Sequence, residues 1–350
     1  MQVIAGIDVG GANTKITIIE TGKNQVVNSN TLSFYFPFWK KPLSDFPSLF
    51  SKNLGKLSSN LPDYFAVTMT AELSDVFATK REGVLKIIEL FSSIIPVDKL
   101  FFYTVDDTFL KYEQALNNPL KLAASNWVAT GSFFSKSLPD CLIIDMGSTT
   151  TDLIIVHENE VYSKGANDLK RLLNSELYYT GLLRTPVCAV TNTITFNGRK
   201  CSLAGELFSI MADVHLILGN ISEKQYTCET PDNRPATVEA SYNRLSRMLC
   251  CDNEELSKSD LIKLAERIER TQFNTIKNAL NKILKSKPWL AKNPVILTGI
   301  GRKWLYKMFK TASTGLNIKL SDEVIGEAAS DLTPAYAVAY LLDNKLGGIK

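Results

Sequence analysis

The sequence of 350 residues is 45% hydrophobic and 21% charged, which is enough apolar material to build two lobes with a core in each. Its formal net charge is only +3 and it contains no long run of Lys or Arg, so the composition argues against a nucleic-acid or membrane-surface partner. With two histidines and no C-x-x-C pair among six cysteines, the sequence does not predict a zinc site.

The amino-terminal residues and the cysteines bear on the compartment. The start, MQVIAGIDVGG, is typical of a strand and lacks the basic segment that precedes the apolar part of a signal peptide. No stretch of about 18 uncharged apolar residues occurs, so no membrane-spanning helix is expected. We interpret the cysteines, including the adjacent Cys250 and Cys251, as free thiols and expect a cytoplasmic protein.

Apolar runs and apolar residues at three- and four-residue steps predict an alternation of strands and helices. In chain order we expect a strand at Val3–Ile7, strand Phe65–Met69, helix Val84–Ile94, strand Leu100–Tyr103, helix Leu120–Phe134, strand Leu142–Ile144, strand Glu158–Tyr162, helix Ser202–Gly219, amphipathic segment Glu255–Ser286, strand Pro294–Thr298 and helix Pro334–Leu342. This alternation is typical of the α/β class. The aromatic segment Phe34–Pro47 is interpreted as a packed loop, with a substrate flap as the alternative.

Two segments of the sequence resemble each other. Asp8–Lys15 reads DVGGANTK and Asp145–Asp152 reads DMGSTTTD, and each lies between two apolar strands. The pattern of strand, Gly-Ser/Thr turn and strand is typical of a β-hairpin, and its recurrence predicts a duplicated fold with one hairpin in each lobe. We place the first lobe at residues 1–139 and the second at residues 140–350.

A tight hairpin with glycine at its turn exposes backbone N–H groups that can bind phosphate oxygens, and Ser and Thr hydroxyls add further donors. The turn residues predicted to bind phosphate are Gly10, Gly11, Asn13, Thr14, Gly147, Ser148, Thr149 and Thr150. Lys15 is expected to neutralise a phosphate as a point charge. Carboxylates near a polyphosphate usually hold Mg²⁺, so Asp8, Asp145 and Asp152 are the predicted metal ligands. We expect both hairpins to face one anionic ligand, whereas a plain turn is the alternative for either hairpin alone.

A third glycine turn follows the strand Pro294–Thr298. Gly299 and Gly301 are predicted to let a planar or phosphorylated group approach the backbone. The sequence has no G-x-x-x-x-G-K-[ST], which excludes a P-loop. The two hairpins and the later Thr-Gly-Ile-Gly resemble the phosphate-1, phosphate-2 and adenosine motifs of actin, Hsp70 and sugar kinases. This resemblance implies a two-lobed, ribonuclease H-like α/β fold, and many members of the superfamily transfer or hydrolyse the γ-phosphate of ATP.

A narrower resemblance covers nearly the whole chain. The segments that carry it are Thr68–Asp75 with Glu82–Gly83, Ala123–Trp127, Gly181–Pro186, Ala204–Phe208, Ala212–Val214 and Asp232–Thr237. In these segments the sequence is similar to the hydantoinase/oxoprolinase-related proteins of tetrahydromethanopterin-linked one-carbon metabolism, whose methanogen members form the methanofuran-biosynthesis synthase family.

The narrower resemblance implies a transferase reaction. In it, (5-aminomethyl-furan-3-yl)methyl diphosphate is attacked by the phenol oxygen of γ-glutamyltyramine, an aryl ether forms and pyrophosphate leaves. The hairpins with Mg²⁺ and Lys15 would stabilise the leaving group. A carboxylate would assist the phenol, with candidates Glu72, Asp75, Glu206 and Asp213.

Other side chains have a functional and a structural interpretation. Arg184 and Arg234 lie in turns and are predicted to grip a phosphate or the γ-glutamyl carboxylate, with a staple between two loops as the equal alternative. Glu206 is also placed among the substrate-binding residues. His215 and the pair Tyr178–Tyr179 are interpreted as core, with the lining of an aromatic-substrate pocket as the alternative for the two tyrosines.

Three other functions stay open at this stage. An ATP-dependent small-molecule kinase of the same fold is the principal alternative, although no Gly-Asp-type base segment is found in the first lobe. A nucleotide-sensing assembly protein is another, and the sequence leaves a homo-oligomer open. Hydantoin or oxoproline ring opening ranks lowest, because those enzymes are much longer chains.

Overall fold

The computed structural model describes residues 2–22, 25–163, 165 and 167–347. By its internal contacts the chain divides into two compact units. The first unit contains Met1–Ile143, Ile154–Asn174 and Ser321–Lys350, and the second contains Ile144–Leu153 and Ser175–Leu320. The units therefore do not follow a single division after residue 139, because the last part of the chain returns to the first unit.

The described residues form strands and helices in alternation. In chain order the strands are β1 (Gln2–Val9), β2 (Asn13–Gly22), β3 (Gln25–Tyr35), β4 (Tyr64–Met69), β5 (Leu100–Tyr103), β6 (Phe109–Lys111), β7 (Cys141–Met146), β8 (Thr151–His157), β9 (Glu160–Val161), β10 (Leu177–Tyr178), β11 (Thr193–Phe196), β12 (Arg199–Ser202), β13 (Val295–Thr298) and β14 (Ile318–Leu320). The helices are α1 (Phe46–Leu57), α2 (Lys80–Ser92), α3 (Tyr112–Asn117), α4 (Asn126–Ser135), α5 (Asp168–Leu173), α6 (Val187–Val190), α7 (Met211–Ile217), α8 (Val238–Ser246), α9 (Lys258–Ser286), α10 (Arg302–Thr311), α11 (Asp322–Ile325), α12 (Glu327–Ser330) and α13 (Thr333–Leu346). Within the described ranges, no helix combines the length and the apolar character needed to cross a bilayer.

The two main sheets have the same connectivity. The first has the order β3-β2-β1-β4-β5-β6, and the second has the order β10-β8-β7-β13-β14, with β9 paired to β8. Along each sheet the first five strands of the path therefore stand in the order third, second, first, fourth, fifth. In the first, β1 and β2 form an antiparallel hairpin, whereas β1 and β4 are parallel. This shared order confirms the duplication that the two similar hairpin sequences predict.

The core of the first unit is aromatic. Phe36, Phe38 and Phe46 have no exposed surface, and the rings of Phe36 and Phe46 meet edge to face with centroids 5.2 Å apart. The segment Phe34–Pro47 is thus a packed loop, as interpreted from its sequence. Buried phenylalanines of this kind contribute much of the hydrophobic stabilisation of a unit.

The carboxy-terminal helix α13 packs closely on strand β1. A Cβ atom on Gly6 would lie 1.9 Å from the carbonyl oxygen of Ala335 and 2.9 Å from the Cβ atom of Ala339. Only a residue without a side chain allows this approach, and the buried alanines of the helix match it. This packing is the reason why the end of the chain belongs to the first unit.

Two predicted helices are shorter than expected. In Leu120–Phe134, only α4 is α-helical, because Ala124 has a φ of 52° and interrupts the helical path before it. In Ser202–Gly219, only α7 is α-helical. The amides of Leu203 and Ala204 instead donate to the carbonyl oxygens of Asn192 and Met248, at 2.9 and 2.8 Å, so a helix could not use them.

The contact between α13 and β1 predicts the effect of a single methyl group. We expect Gly6→Ala to lower the free energy of unfolding by about 3 kcal/mol, because the new Cβ atom forces the helix away from the strand. Gly55→Ala in α1 is the matched control. Its Cβ atom would meet nothing within 4 Å, so it should stabilise by roughly 0.5–1 kcal/mol through helix propensity. Urea denaturation measures both, and an equal effect of the two substitutions would contradict the close packing.

Candidate functional site

The hairpin turn of the second unit is accessible and rich in donors. Residues Gly147–Thr150 join β7 to β8 and are partly exposed, and the amide of Gly147 closes the turn by donating to the carbonyl oxygen of Thr150 at 2.9 Å. The hydroxyls of Ser148, Thr149 and Thr150 belong to this turn. An exposed turn of this composition suits an anion with several oxygens.

The following segment, Thr180–Arg184, holds this turn in place. The amides of Leu182 and Leu183 donate to the carbonyl oxygens of Gly147 and Ser148, at 3.0 and 3.1 Å. The amide of Arg184 donates to the carbonyl oxygen of Ser148 at 2.9 Å, and its guanidinium lies 3.4 Å from the hydroxyl oxygen of Thr149. The structure therefore brings predicted binding residues of two separate sequence motifs together.

The glycine pair after β13 lies against the end of β7. A Cβ atom on Gly299 would be 2.4 Å from Oδ1 of Asp145, and one on Gly301 would be 2.4 Å from the sulfur of Met146. The amide of Gly301 donates to the carbonyl oxygen of Met146 at 3.0 Å. These contacts alone require both glycines, so their predicted role in binding a planar or phosphorylated group stays a prediction.

The hairpin turn of the first unit closes in the same way. The amide of Gly10 donates to the carbonyl oxygen of Asn13 at 3.0 Å, and Gly10, Gly11 and Asn13 are partly exposed. Asp8 and Lys15 stand opposite each other in the β1–β2 register and form an ion pair of 2.9 Å. Lys15 already has a carboxylate partner, so a phosphate bound to Lys15 would share the positive charge of the lysine with Asp8.

The chemistry of Asp8 fits the predicted Mg²⁺. The side chain is 2% exposed, Oδ2 is paired with Lys15, and Oδ1 is buried with no hydrogen-bond partner. Mg²⁺ is usually bound by one or two carboxylates together with substrate phosphates and water, so the described residues need no cluster of three acidic ligands. They contain none. Asp145 and Asp152 are each 8% exposed in the second unit, and their metal-binding roles stay predictions.

Glu72 has an unusual environment in the first unit. It lies just after β4, where the amide of Thr70 donates to the carbonyl oxygen of Val9 at 2.8 Å, next to the first hairpin turn. The side chain is 1% exposed and neither carboxyl oxygen has a hydrogen-bond partner. Burial is the largest cause that raises the pKa of Glu72, and the negative charge of Asp168 acts in the same direction. The backbone amides of Glu72 and Ala124 and the positive charge of Lys80 oppose this shift, and the net result is a pKa of about 7.

Asp213, in contrast, is surrounded by donors in the second unit. It is fully buried on α7 and forms an ion pair of 2.7 Å with the equally buried Arg244. Oδ1 also accepts from the hydroxyls of Tyr226 and Ser241 at 3.0 Å, and Oδ2 accepts from the amide of Ile210 at 3.0 Å. Both oxygens are thus occupied by structural partners, so these contacts favour an organising role over proton transfer.

The remaining predicted residues differ in exposure. Thr14 has no exposed surface, so its predicted access to a phosphate is not seen in this structure. Asp75, Glu206 and Arg234 are exposed, and the guanidinium of Arg234 is 3.9 Å from the carboxylate of Asp232. Their functional roles stay predictions. The core interpretation of Tyr178–Tyr179 is wrong for Tyr179, which is 58% exposed, because β10 is a short strand that ends at Tyr178.

The burial of several polar residues on the helices was not predicted from the sequence. Arg244, Gln272 and Arg171 are at most 2% exposed, and Arg171 lies 4.2 Å from the ring centroid of Trp127. The sequence signal was weak, since each stands on a helix whose polar residues are typically solvated. His215 has no exposed surface, which confirms its interpretation as core.

Comparison with known proteins gives consistent results. The sequence model of the Hydantoinase/oxoprolinase family matches residues 63–337. The chain is similar to (4-{4-[2-(γ-L-glutamylamino)ethyl]phenoxymethyl}furan-2-yl)methanamine synthase of Methanocaldococcus jannaschii, with 40% identity over 347 residues that cover 98% of both chains. A protein of the same name from Methanococcus vannielii is 35% identical over 209 residues, which are 59% of this chain and 92% of that one.

Among solved structures, nucleotide-free acetone carboxylase matches with a TM-score of 0.57 at 8% identity, over 97% of this chain and 70% of that chain. At this identity the match bears on the fold alone. Together with the repeated strand order, it confirms the predicted α/β fold of the actin, Hsp70 and sugar-kinase type.

The burial of Glu72 predicts how stability depends on pH. The unfolded chain releases this proton near pH 4.5 and the folded chain near pH 7, so Glu72 lowers the free energy of unfolding as the pH rises through this window. We expect Glu72→Gln to gain about 3 kcal/mol over wild type between pH 4.5 and pH 8. Denaturant unfolding at both pH values measures this gain. Glu89→Gln, at a residue 67% exposed, is the control, and a parallel pH profile for both variants would contradict the buried state of Glu72.

The Asp213–Arg244 pair predicts a large effect of removing one charge. Asp213→Asn should lower the free energy of unfolding by about 3 kcal/mol, because the fully buried guanidinium of Arg244 loses its buried carboxylate partner and keeps the partly exposed carboxylate of Asp232, 3.1 Å away. Asp106→Asn, at an exposed ion pair with Lys121, should cost less than about 1 kcal/mol. Similar losses in thermal or urea unfolding for the two variants would refute the structural role of Asp213.

Proposed function

The chain is an enzyme of the hydantoinase/oxoprolinase family, and we propose that it is a transferase that forms an aryl ether and releases pyrophosphate. The substrates in this proposal are (5-aminomethyl-furan-3-yl)methyl diphosphate and γ-glutamyltyramine. The name of the relatives supports it, since it describes a product in which a phenoxymethyl group links a furan to a γ-glutamylated aminoethyl chain. The reaction belongs to methanofuran biosynthesis.

The observation that carries the proposal is the partly exposed turn Gly147–Thr150, held by the segment that contains Arg184. A diphosphate leaving group accumulates negative charge as its bond to carbon breaks. Backbone amides and hydroxyls that are already oriented stabilise this charge without reorganising. We propose the same chemistry for the matching turn at Gly10–Thr14 with Lys15, where Mg²⁺ bound at Asp8 would supply further positive charge to phosphate oxygens.

The chemical step follows from the electronic structure of the furan. The bond between the furanmethyl carbon and the diphosphate oxygen breaks, its electron pair leaves with pyrophosphate, and the furan stabilises the positive charge at carbon. The phenol oxygen then forms the new bond to this carbon, and its proton passes to a carboxylate.

Glu72 is the carboxylate best suited to accept the proton. A pKa of about 7 leaves it partly ionised at neutral pH, and it becomes more basic than an exposed carboxylate. Its oxygens also have no side-chain hydrogen-bond partner among the described residues, in contrast to those of Asp213. The phenol has an ordinary pKa near 10, so it acidifies only as the new bond to carbon forms.

The proposal is tested by incubating the purified protein with Mg²⁺, the furanmethyl diphosphate and γ-glutamyltyramine. We expect the coupled ether by mass spectrometry and one pyrophosphate for each ether formed. A parallel incubation with ATP in place of the diphosphate should form neither. ATP consumption without ether formation would favour the kinase alternative and overturn the proposal.

The assignment of Glu72 is tested separately by steady-state kinetics. Glu72→Gln should lower kcat by about 10²–10⁴-fold with little change in the KM of the diphosphate, because the amide cannot accept the phenol proton. Glu89→Gln, on the exposed face of α2, should leave both constants unchanged. A full kcat in Glu72→Gln would exclude this residue as the base while leaving the overall reaction intact.

A further inference from the structure

One polar side chain is buried in the apolar face of helix α9. The buried residues of this helix, all within the described part of the chain, are apolar except for Gln272. Gln272 has no exposed surface. Burying an amide is costly unless every polar atom finds a partner, and an apolar residue would fill the same space without that requirement. The position of Gln272 therefore calls for a role beyond packing.

The partners of Gln272 define its orientation. Its Nε2 group donates to the hydroxyl oxygen of Thr180 at 3.0 Å and to the carbonyl oxygen of Gly181 at 2.8 Å. Its Oε1 atom can only accept, so the Nε2 atom of His215, 3.0 Å away, carries the proton. The Nδ1 atom of His215 then accepts from the amide of Asn220 at 3.2 Å. Burial lowers the pKa of His215 to about 4, which keeps the ring neutral and this arrangement fixed at neutral pH.

The other end of the network is itself anchored. The side-chain amide of Asn220 also donates to Oε1 of Glu269 at 2.6 Å, and the indole N–H of Trp304 donates to the same atom at 2.8 Å. Glu269 lies one turn before Gln272 on α9, so the hydrogen-bond network begins and ends on the same helix. A network in which each side chain has two hydrogen-bond partners holds the groups at its ends more rigidly than a single hydrogen bond would.

Gly181 contacts the hairpin turn, and Thr180 contacts the first residue of β8. A Cβ atom on Gly181 would lie 2.4 Å from the amide nitrogen of Thr149 and 2.5 Å from the carbonyl oxygen of Ser148. The hydroxyl of Thr151, at the first position of β8, donates to the carbonyl oxygen of Thr180 at 2.5 Å. The two hydrogen bonds of the Gln272 amide group therefore end on two residues that pack against the turn and the strand that follows it.

We propose that Gln272 is a positioning residue that fixes the anion-binding geometry of the turn Gly147–Thr150 by holding Thr180 and Gly181 against it. This inference rests on the proposed function, because it assigns the turn to a diphosphate. It deepens that function by tracing the orientation of the turn amides to a helix that carries no predicted binding residue. Small errors in the positions of such donors cost a large part of their electrostatic effect, so the supporting residues contribute to binding without touching the ligand.

The test compares Gln272→Met with Leu264→Ala. Methionine retains the length of the side chain but loses all hydrogen bonds, whereas Leu264 is a buried residue of the same helix, packed in the apolar cluster with Leu245 and Met248. Inorganic pyrophosphate with Mg²⁺ is titrated into each protein by calorimetry. Amide hydrogen exchange of residues 145–151 and 178–186 is measured in the same samples without ligand, and urea unfolding gives the stability of each variant.

We expect Gln272→Met to bind pyrophosphate about tenfold more weakly and to exchange faster in both segments, since the variant loses two hydrogen bonds to the residues behind the turn. Leu264→Ala should lose stability but bind within about twofold of wild type. If Gln272→Met binds as wild type does, the inference is overturned while the proposed function stands. If wild type itself does not bind pyrophosphate, the assignment of the turn to a diphosphate fails and the inference fails with it.

A second variant keeps the test decisive if Gln272→Met does not fold. Thr180→Val preserves the shape of the residue and leaves Gln272 in place. It removes the hydroxyl that accepts a hydrogen bond from Nε2 of Gln272. It should weaken pyrophosphate binding by about threefold, in proportion to one lost hydrogen bond. Unchanged affinity together with unchanged exchange in residues 145–151 would overturn the positioning role.

Discussion

The close approach of Gly181 to the peptide between Ser148 and Thr149 is the contact on which the second hairpin turn depends. No side chain fits between them, so the two segments meet backbone to backbone and the amides of Leu182 and Leu183 donate to the turn carbonyls. With its carbonyl groups occupied from behind, the turn can direct its remaining donors outward. The exposed turn packs on Gly181, which in turn accepts a hydrogen bond from the side chain of Gln272 on helix α9.

The buried polar groups of this protein fall into two kinds. Asp213 and Gln272 are fully buried and have a partner for every polar atom, so they contribute to a specific and rigid arrangement. Glu72 and Oδ1 of Asp8 are equally buried but have no hydrogen-bond partner. A protein gains no stability from such groups, and their desolvation lowers the free energy of unfolding. Both groups lie close in sequence or register to the first hairpin turn, since β1 and β4 are adjacent strands.

The fold and the reaction depend on different residues. The overall fold is similar to that of acetone carboxylase at only 8% identity, and its strand order occurs twice in this chain. Such an architecture offers two glycine-containing hairpin turns, but it does not determine which compound is used. Glu72 and Arg184, which our proposal uses for the chemistry, belong to segments that resemble the narrower family, whereas the turn around Thr149 belongs to the repeated hairpins of the fold.

The sequence alone determined the two hairpins, the α/β class and the family, because strand periodicity and glycine turns are local properties of the chain. It also placed Glu72 and Asp213 in one group of candidate carboxylates, and only the tertiary structure separated them. Arg244 comes from a distant helix to neutralise Asp213, whereas no side chain in the described structure donates a hydrogen bond to Glu72. Likewise, Gln272 looks like any polar residue of an amphipathic helix until folding brings it to Gly181, since a pKa or a buried hydrogen bond depends on neighbours that are far away in sequence.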